Sequence, residues 1–309
     1  MTLFLSEDDV QELLTPSNAV EAVEGSFRRM GAGAIELAPR RRLNLQEGRL
    51  ADMAASDLEL GYAGVKAYAA TGEGAAFVVA LFAVDRPELV AVIEADHLGR
   101  LRTGAASAVA AKYLACEGAT SLGVIGCGAQ AETQVACIRA GVPTLEKVVA
   151  YCRTQRNLHA FCKRVDAEPA ESNREAAEQN IVVTITTSRD PVLRGEWLLP
   201  GALVCAAGAN NGVSRELDSV VLERATFVCC DWKEQAKLES ADLIEPIQQG
   251  VLDWLEVHEL QEVVSGELPG RQSPEDIVVF KSNGIAAWDV AIAATAVERA
   301  RGRKLGTDL

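Results

Sequence analysis

Gly123-Val-Ile-Gly126-Cys-Gly128-Ala-Gln130-Ala131 decides how the chain is read. The apolar residues Leu122–Ile125 before it have the composition of a buried strand, and the residues after it are good helix formers. Between them lies a G-x-G-x-x-A loop. Small residues there allow backbone N–H groups at a helix N-terminus to approach a pyrophosphate, which makes the segment a candidate dinucleotide loop. Glycine pairs also make plain tight turns, so the surrounding pattern has to carry part of the argument.

Working outward, short apolar runs alternate with helical stretches: Val148–Cys152, Ile181–Ile185, Leu203–Ala207, Phe227–Asp231 and Ile277–Phe280. Such alternation predicts an α/β fold with a Rossmann-type doubly wound parallel sheet. Upstream, the first 33 residues carry helix signals, including a capping box at Ser6 and Asp9. Residues 40–94 read as short strands, among them Arg42–Leu45, Gly64–Tyr68, Phe77–Val84 and Leu89–Glu94. Leu98–Ala115 reads as a connecting helix, and Ile285–Arg301 as a helix expected to return to the first domain. The expected organisation is an α+β substrate-binding and dimerisation domain over residues 1–117 and 285–309, with a dinucleotide-binding domain over 118–284.

Composition narrows the function. The 309 residues are 49% hydrophobic and 24% charged, and 30 Lys plus Arg against 44 Asp plus Glu give a formal charge of −14. No basic block is long enough to track a phosphate backbone, so nucleic acid is not an expected partner. No apolar run approaches the roughly 18 residues of a membrane span, and the acidic start predicts a cytoplasmic protein without a signal peptide. The 8 cysteines form no C-x-x-C pair and the 3 histidines are widely separated, so no metal site is expected and proton transfer falls to Lys, Asp, Glu or water.

The strand Val148–Tyr151 runs into Cys152-Arg153-Thr154-Gln155-Arg156. An NAD-binding protein usually places an acid there for the ribose hydroxyls. Arg153 and Thr154 would instead hold a 2′-phosphate, which favours NADP(H) over NAD(H). In Arg40-Arg41-Arg42, alternation puts Arg40 and Arg42 on one face and Arg41 on the other. Lys66 lies in the apolar segment Gly64–Tyr68, where its ammonium needs a partner; an edge-strand lysine with its head in water is the competing reading. Arg102 reads as a cation at a helix start, a conflict that a bound anion or a surface salt bridge would resolve.

Taken together, Leu101–Ala115 (LRTGAASAVAAKYLA), Gly123–Ala131, Pro191–Val204 (PVLRGEWLLPGALV), Arg215–Asp218 (RELD) and Val278–Ala294 (VVFKSNGIAAWDVAIAA) resemble the ornithine cyclodeaminase and mu-crystallin family over nearly the whole chain. The resemblance implies a homodimer that binds NAD(H) or NADP(H) and a small imino or amino acid. It implies that Arg40, with Arg42 as the alternative in the triplet, and Arg102 bind the substrate carboxylate or the cofactor, and that Lys66 binds substrate. Gly126, Gly128, Ala129 and Gln130 would form the phosphate loop, Thr103 would join Arg102 at the cofactor, and Thr186, Thr187, Ala207 and Gly208 would line it. Ser282, in the F-x-S-x-G segment, would face substrate. Two departures matter. Asn210 stands where cyclodeaminases have a catalytic aspartate, and an amide cannot take that proton; the segment Ala67–Ala76 reads as a shortened loop beside the pocket. The expectation is therefore hydride transfer to a small α-imino acid, of ketimine reductase or amino-acid dehydrogenase type. A cyclodeaminase-like lyase and a non-catalytic crystallin-type binding protein are the alternatives.

Overall fold

The computed structural model describes all 309 residues as two compact units, one of residues 1–102 with 285–309 and one of residues 103–284. We call them the terminal and the central unit. The division falls at Arg102/Thr103, inside a helix, so residues 103–117 pack with the central unit and the boundary is not at residue 117.

The terminal unit starts with β1 (Leu3–Leu5), α1 (Glu7–Leu13) and α2 (Pro16–Gly31). Both helices are started by reciprocal capping boxes, Ser6 with Asp9 and Thr15 with Asn18. There follow β2 (Ile35–Asn44), β3 (Arg49–Asp57), β4 (Tyr62–Thr71), β5 (Gly74–Ala83), β6 (Leu89–Glu94) and α3 (Asp96–Leu114), whose first residues belong to this unit. Antiparallel pairing from β2 to β6 and parallel pairing of β6 with β1 make a seven-stranded mixed sheet, closed at one edge by the short β15 (Thr307–Asp308). Residues 67–76 are not a loop. β4 continues to Thr71 and turns directly into β5.

The chain returns to this unit with α11 (Ala286–Arg303), which lies across one face of the sheet. That contact is close enough that a Cβ on Gly64 would come within 2.9 Å of Val290 Cγ2. Phe27 of α2 packs on Trp288 at 5.3 Å between ring centroids, completing a core with Val79, Leu81 and Ile93. The opposite face of the sheet is left open and carries Val65, Val78 and Phe82.

The central unit contains β7 (Ser121–Ile125), α4 (Ala131–Gly141), β8 (Lys147–Tyr151), α5 (Gln155–Val165), β9 (Glu168–Pro169), α6 (Asn173–Ala177), β10 (Ile181–Thr184) and β11 (Leu203–Ala206). It continues with α7 (Ser219–Arg224), β12 (Phe227–Cys230), α8 (Lys233–Glu239), α9 (Ala241–Gln248), β13 (Val257–Glu259), α10 (Leu260–Val264) and β14 (Val278–Lys281). Its strands form one parallel sheet in the order β13-β12-β14-β11-β10-β7-β8-β9, with β10, β11 and β14 buried on both faces. Strand order reverses at β7, between β8 and β10. In doubly wound sheets a ligand crevice opens at such a switch point, beyond the carboxyl ends of the strands. The G-x-G-x-x-A loop leaves β7 at that end.

Candidate functional site

The loop from Gly126 to Gln130 connects β7 to α4. Gly126 adopts φ +113° and a Cβ there would lie 2.3 Å from the Ile185 carbonyl oxygen, so only glycine fits. Gly128 is different: nothing lies within 4 Å of where its Cβ would be. Its missing side chain leaves open space over the loop. At the start of α4, Gln130 makes no side-chain cap, in contrast to α1 and α2, and the Ala131 N–H donates to the Gly128 carbonyl at 3.0 Å.

This loop forms one wall of a cleft of about 290 Å³. Gly126, Gly128, Arg153, Thr154, Thr186 and Thr187 all line it, so residues from the ends of three strands come together as expected. Ala129 and Gln130 are exposed at the entrance to α4. No carboxylate lines the cleft. The thiols of Cys127 and Cys152 also face it, and that of Cys127 is pushed well up by burial and by its contact with Cys152.

Ala207 and Gly208 follow β11, half-buried at the same edge of the sheet, and Asn210 lies half-buried two residues beyond. Ser282 is buried immediately after β14, its N–H donating to Ala206 at 2.9 Å. Thr103 is buried in α3. Beneath this edge lies an ionic cluster that the sequence reading missed. Glu216 accepts from Thr184 Oγ1 at 3.1 Å and from the backbone N–H groups of Thr186, Gly208 and Ala209 at 2.7, 2.7 and 3.1 Å. Asp242 Oδ1 accepts from the Glu216 and Leu217 N–H groups, and its Oδ2 lies 3.1 Å from the fully buried Lys281 Nζ. Burial raises the Glu216 pKa, with Lys281 opposing. Farther along the edge, Asp231 accepts from the N–H groups of Asn283 and Gly284 at 2.7 and 2.6 Å; burial raises its carboxyl to about 6 despite those bonds. For Asp231 and Lys281 the available signal was a charge at the end of an otherwise apolar strand.

The terminal unit holds a second cluster. Lys66 is only 3% exposed, which removes the edge-strand reading; its Nζ lies 2.7 Å from Asp289 Oδ1 and 5.7 Å from the Phe77 ring centroid. Gly99 makes room for it, since a Cβ there would meet Lys66 Nζ at 2.7 Å. Arg102 is not at a helix start. α3 begins at Asp96, and Arg102, two turns in, directs Nε to Asp289 Oδ1 at 3.4 Å and its guanidinium over Trp288 at 5.8 Å. The conflict with the helix dipole therefore does not arise, and the partner is a buried carboxylate.

Arg40 is buried, and its Nη2 reaches Met53 Sδ at 3.6 Å, where Met53 stands opposite Lys66 on β3. Arg42 is half-buried while Arg41 is exposed and pairs with Asp52, as strand alternation requires. Lys66 and Arg102 thus share one carboxylate, and Arg40 lies near enough to act on the Lys66 charge. Burial lowers the Lys66 pKa to about 8, with Asp289 raising it and Arg102 and Arg40 lowering it further. Asp289 was missed because its segment, Ile285–Ala294, reads as a plain apolar helix. Its signal was a single acid in a run of alanines, the counterpart of a lysine in an apolar strand.

Residues 1–304 match the model of the ornithine cyclodeaminase/mu-crystallin family. The chain is 34% identical to the alanine dehydrogenase of Archaeoglobus fulgidus over 323 residues, covering 100% of this chain and 98% of that protein. Among solved structures, an archaeal alanine dehydrogenase dimer with bound NAD has a TM-score of 0.93 at 32% identity and covers 100% of this chain and 98% of its own. The Thermococcus litoralis Delta(1)-pyrroline-2-carboxylate reductase in complex with NADH and L-proline has a TM-score of 0.92 at 30% identity, and each chain is covered in full. A parallel sheet with a G-x-G-x-x-A loop at its switch point and a buried cluster of charges, on a chain matched over residues 1–304, give the assignment: this protein belongs to the ornithine cyclodeaminase/mu-crystallin family.

Proposed function

We propose that this chain, an NAD(P)-dependent oxidoreductase of imino and amino acids, reduces the C=N bond of a small α-imino acid and works as a ketimine reductase or amino-acid dehydrogenase. The observation that carries the reading is the buried pair Lys66 and Arg102 on Asp289 with the buried Arg40 nearby, an excess of positive charge that suits a carboxylate. The Arg40 and Arg102 guanidinia clamp that carboxylate, with Arg42 beside Arg40 on the same strand face. Lys66 orients the imine nitrogen and gives it a proton. When bound, the nicotinamide supplies the hydride for the carbon.

The residues of the central unit fit such a cofactor: Gly126 and Gly128 keep side chains away from the loop, and α4 starts beside it without a side-chain cap. Ala129 and Gln130 stand at that helix entrance, with Thr186, Thr187, Ala207 and Gly208 along the strand ends. Thr103 and Ser282 are assigned to cofactor and substrate. Preference for NADP(H) rests on Arg153 and Thr154 lining a cleft that has no carboxylate, although the similar structures named above are described with NAD or NADH. Asn210 supplies an amide where ring-closing deamination would use a carboxylate, so it serves as a hydrogen-bonding group. The open apolar sheet face with Val65, Val78 and Phe82 fits a homodimer. No helix is long and apolar enough to cross a membrane, and eight unpaired cysteines suit the cytoplasm.

The test is oxidation of NADPH and NADH at 340 nm across cyclic imino acids, and across pyruvate with amines, at matched concentrations. Stoichiometric reduction of an imino acid supports the proposal. Conversion of ornithine to proline without net nicotinamide consumption would replace it with the lyase. Light scattering at assay concentration checks the dimer.

A further inference from the structure

Asp289 stands in the first turn of α11, where negative charge is favoured, and is 1% exposed. Its two oxygens have different surroundings. Oδ1 takes Lys66 Nζ at 2.7 Å and faces Arg102 Nε at 3.4 Å. Oδ2 is buried with no hydrogen-bond partner. A carboxylate oxygen out of water and without a donor is costly to leave as it is. The charged groups acting on Lys66 from the surrounding elements are Arg102 on α3, Arg40 on β2 and Asp289 itself. Lys66 and Arg102 both approach the other oxygen, which leaves Oδ2 open to a donor on a bound molecule.

We propose that Asp289 engages the substrate nitrogen: Oδ1 holds the Lys66 ammonium and the Arg102 guanidinium, and Oδ2 accepts the N–H of the imine once protonated to the iminium, or of the amino acid's ammonium group. The inference rests on the substrate reading above. It gives the cluster a division of labour in which the arginines recognise the carboxylate and Asp289 recognises the nitrogen. The site then favours an α-imino or α-amino acid over a 2-oxo acid or a carbocyclic acid of the same shape, because these lack the donor.

The experiment compares L-proline with cyclopentanecarboxylate, a ring of the same size that keeps the carboxylate and lacks the N–H. Binding is measured by calorimetry in saturating NADPH, where no turnover occurs. Wild-type protein binds L-proline more tightly. In Asp289→Asn the affinity for L-proline falls about 10- to 100-fold, the range of a hydrogen bond to a charged group, while that for cyclopentanecarboxylate changes less than about 3-fold. Equal losses for the two acids, or no loss for either, overturn the role of Oδ2. Wild-type protein that binds neither acid overturns the substrate reading, and the inference with it. ¹⁵N-labelled L-proline on wild-type protein provides a measurement independent of how the variant folds. A bound N–H proton shifted downfield and slow to exchange supports the contact, and one that stays solvent-like sinks it.

Discussion

The cleft of the central unit has as one wall a loop of two glycines that leads from the end of a parallel strand into α4, whose start has no side-chain cap. The cluster of the terminal unit is made of side chains, drawn from residues 40, 66, 102 and 289 and buried against Met53, Phe77 and Trp288. Backbone recognition depends on the absence of side chains and is written in a few adjacent residues. Side-chain recognition depends on four positions spread over the chain, each of which needs the others to be tolerable when buried. The contrast predicts separable effects: damage to the cluster should leave nucleotide binding intact, and damage to the loop should leave the cluster intact.

The largest effect is expected from Lys66→Met. Imino-acid reduction falls about 10²- to 10⁴-fold with loss of the proton donor, while the Kd for NADPH, followed by fluorescence, stays unchanged. A parallel loss of NADPH binding would break the separation. Gly126→Ala acts on the other side. It forces a Cβ against the Ile185 carbonyl at φ +113°, so it costs roughly 1–3 kcal/mol of stability, read by thermal unfolding, and weakens both nucleotides alike. Arg153→Ala sharpens the comparison within the cleft, raising the KM for NADPH about tenfold or more with little change for NADH. A uniform loss for both nucleotides would assign Arg153 to general phosphate binding.

The smallest effect follows pH. The Lys66 pKa is lowered to about 8, and the protonated form is the acid, so kcat/KM for imine reduction should fall about tenfold between pH 7 and pH 9. The same shift acts on stability with the opposite slope. Below about pH 8 the protonated lysine is carried at a cost in the folded state, and between about 8 and 10.5 the unfolded chain binds the extra proton, so folding becomes more favourable as pH rises. Lys66→Met removes both dependences.

How much of this was legible in the sequence follows the same contrast. Six of the eight parallel strands of the central unit lie within a residue or so of their apolar runs, because strands buried on both faces need continuous hydrophobicity, while the short edge strands β9 and β13 were missed. In the terminal unit β3 was missed. Arg49–Asp57 contains Ala51, Ala54, Ala55 and Ser56 and no β-branched residue, so its alternation is carried by small side chains that hydrophobicity barely registers. The phosphate loop was visible as a local pattern. Lys66, Arg40 and Arg102 were visible as charges in unexpected places, but their common partner was not, since residues 66 and 289 become neighbours only when α11 crosses the sheet. The placement of Arg102 at a helix start failed because the helix begins earlier, at Asp96, ahead of Gly99.

Glu216 ties the ends of β10 and β11 through four hydrogen bonds, three of them to backbone N–H groups. A glutamine there would turn an amide NH₂ or a single carbonyl toward donors that need two acceptor oxygens, so even the isosteric exchange is disruptive. The end of β8, with Arg153 and Thr154 exposed, has no such brace. The two flanks of the cleft therefore differ in evolvability. Selection for a different nucleotide can act on the β8 flank at little cost to folding, whereas the β10–β11 flank is constrained by a fully buried carboxylate.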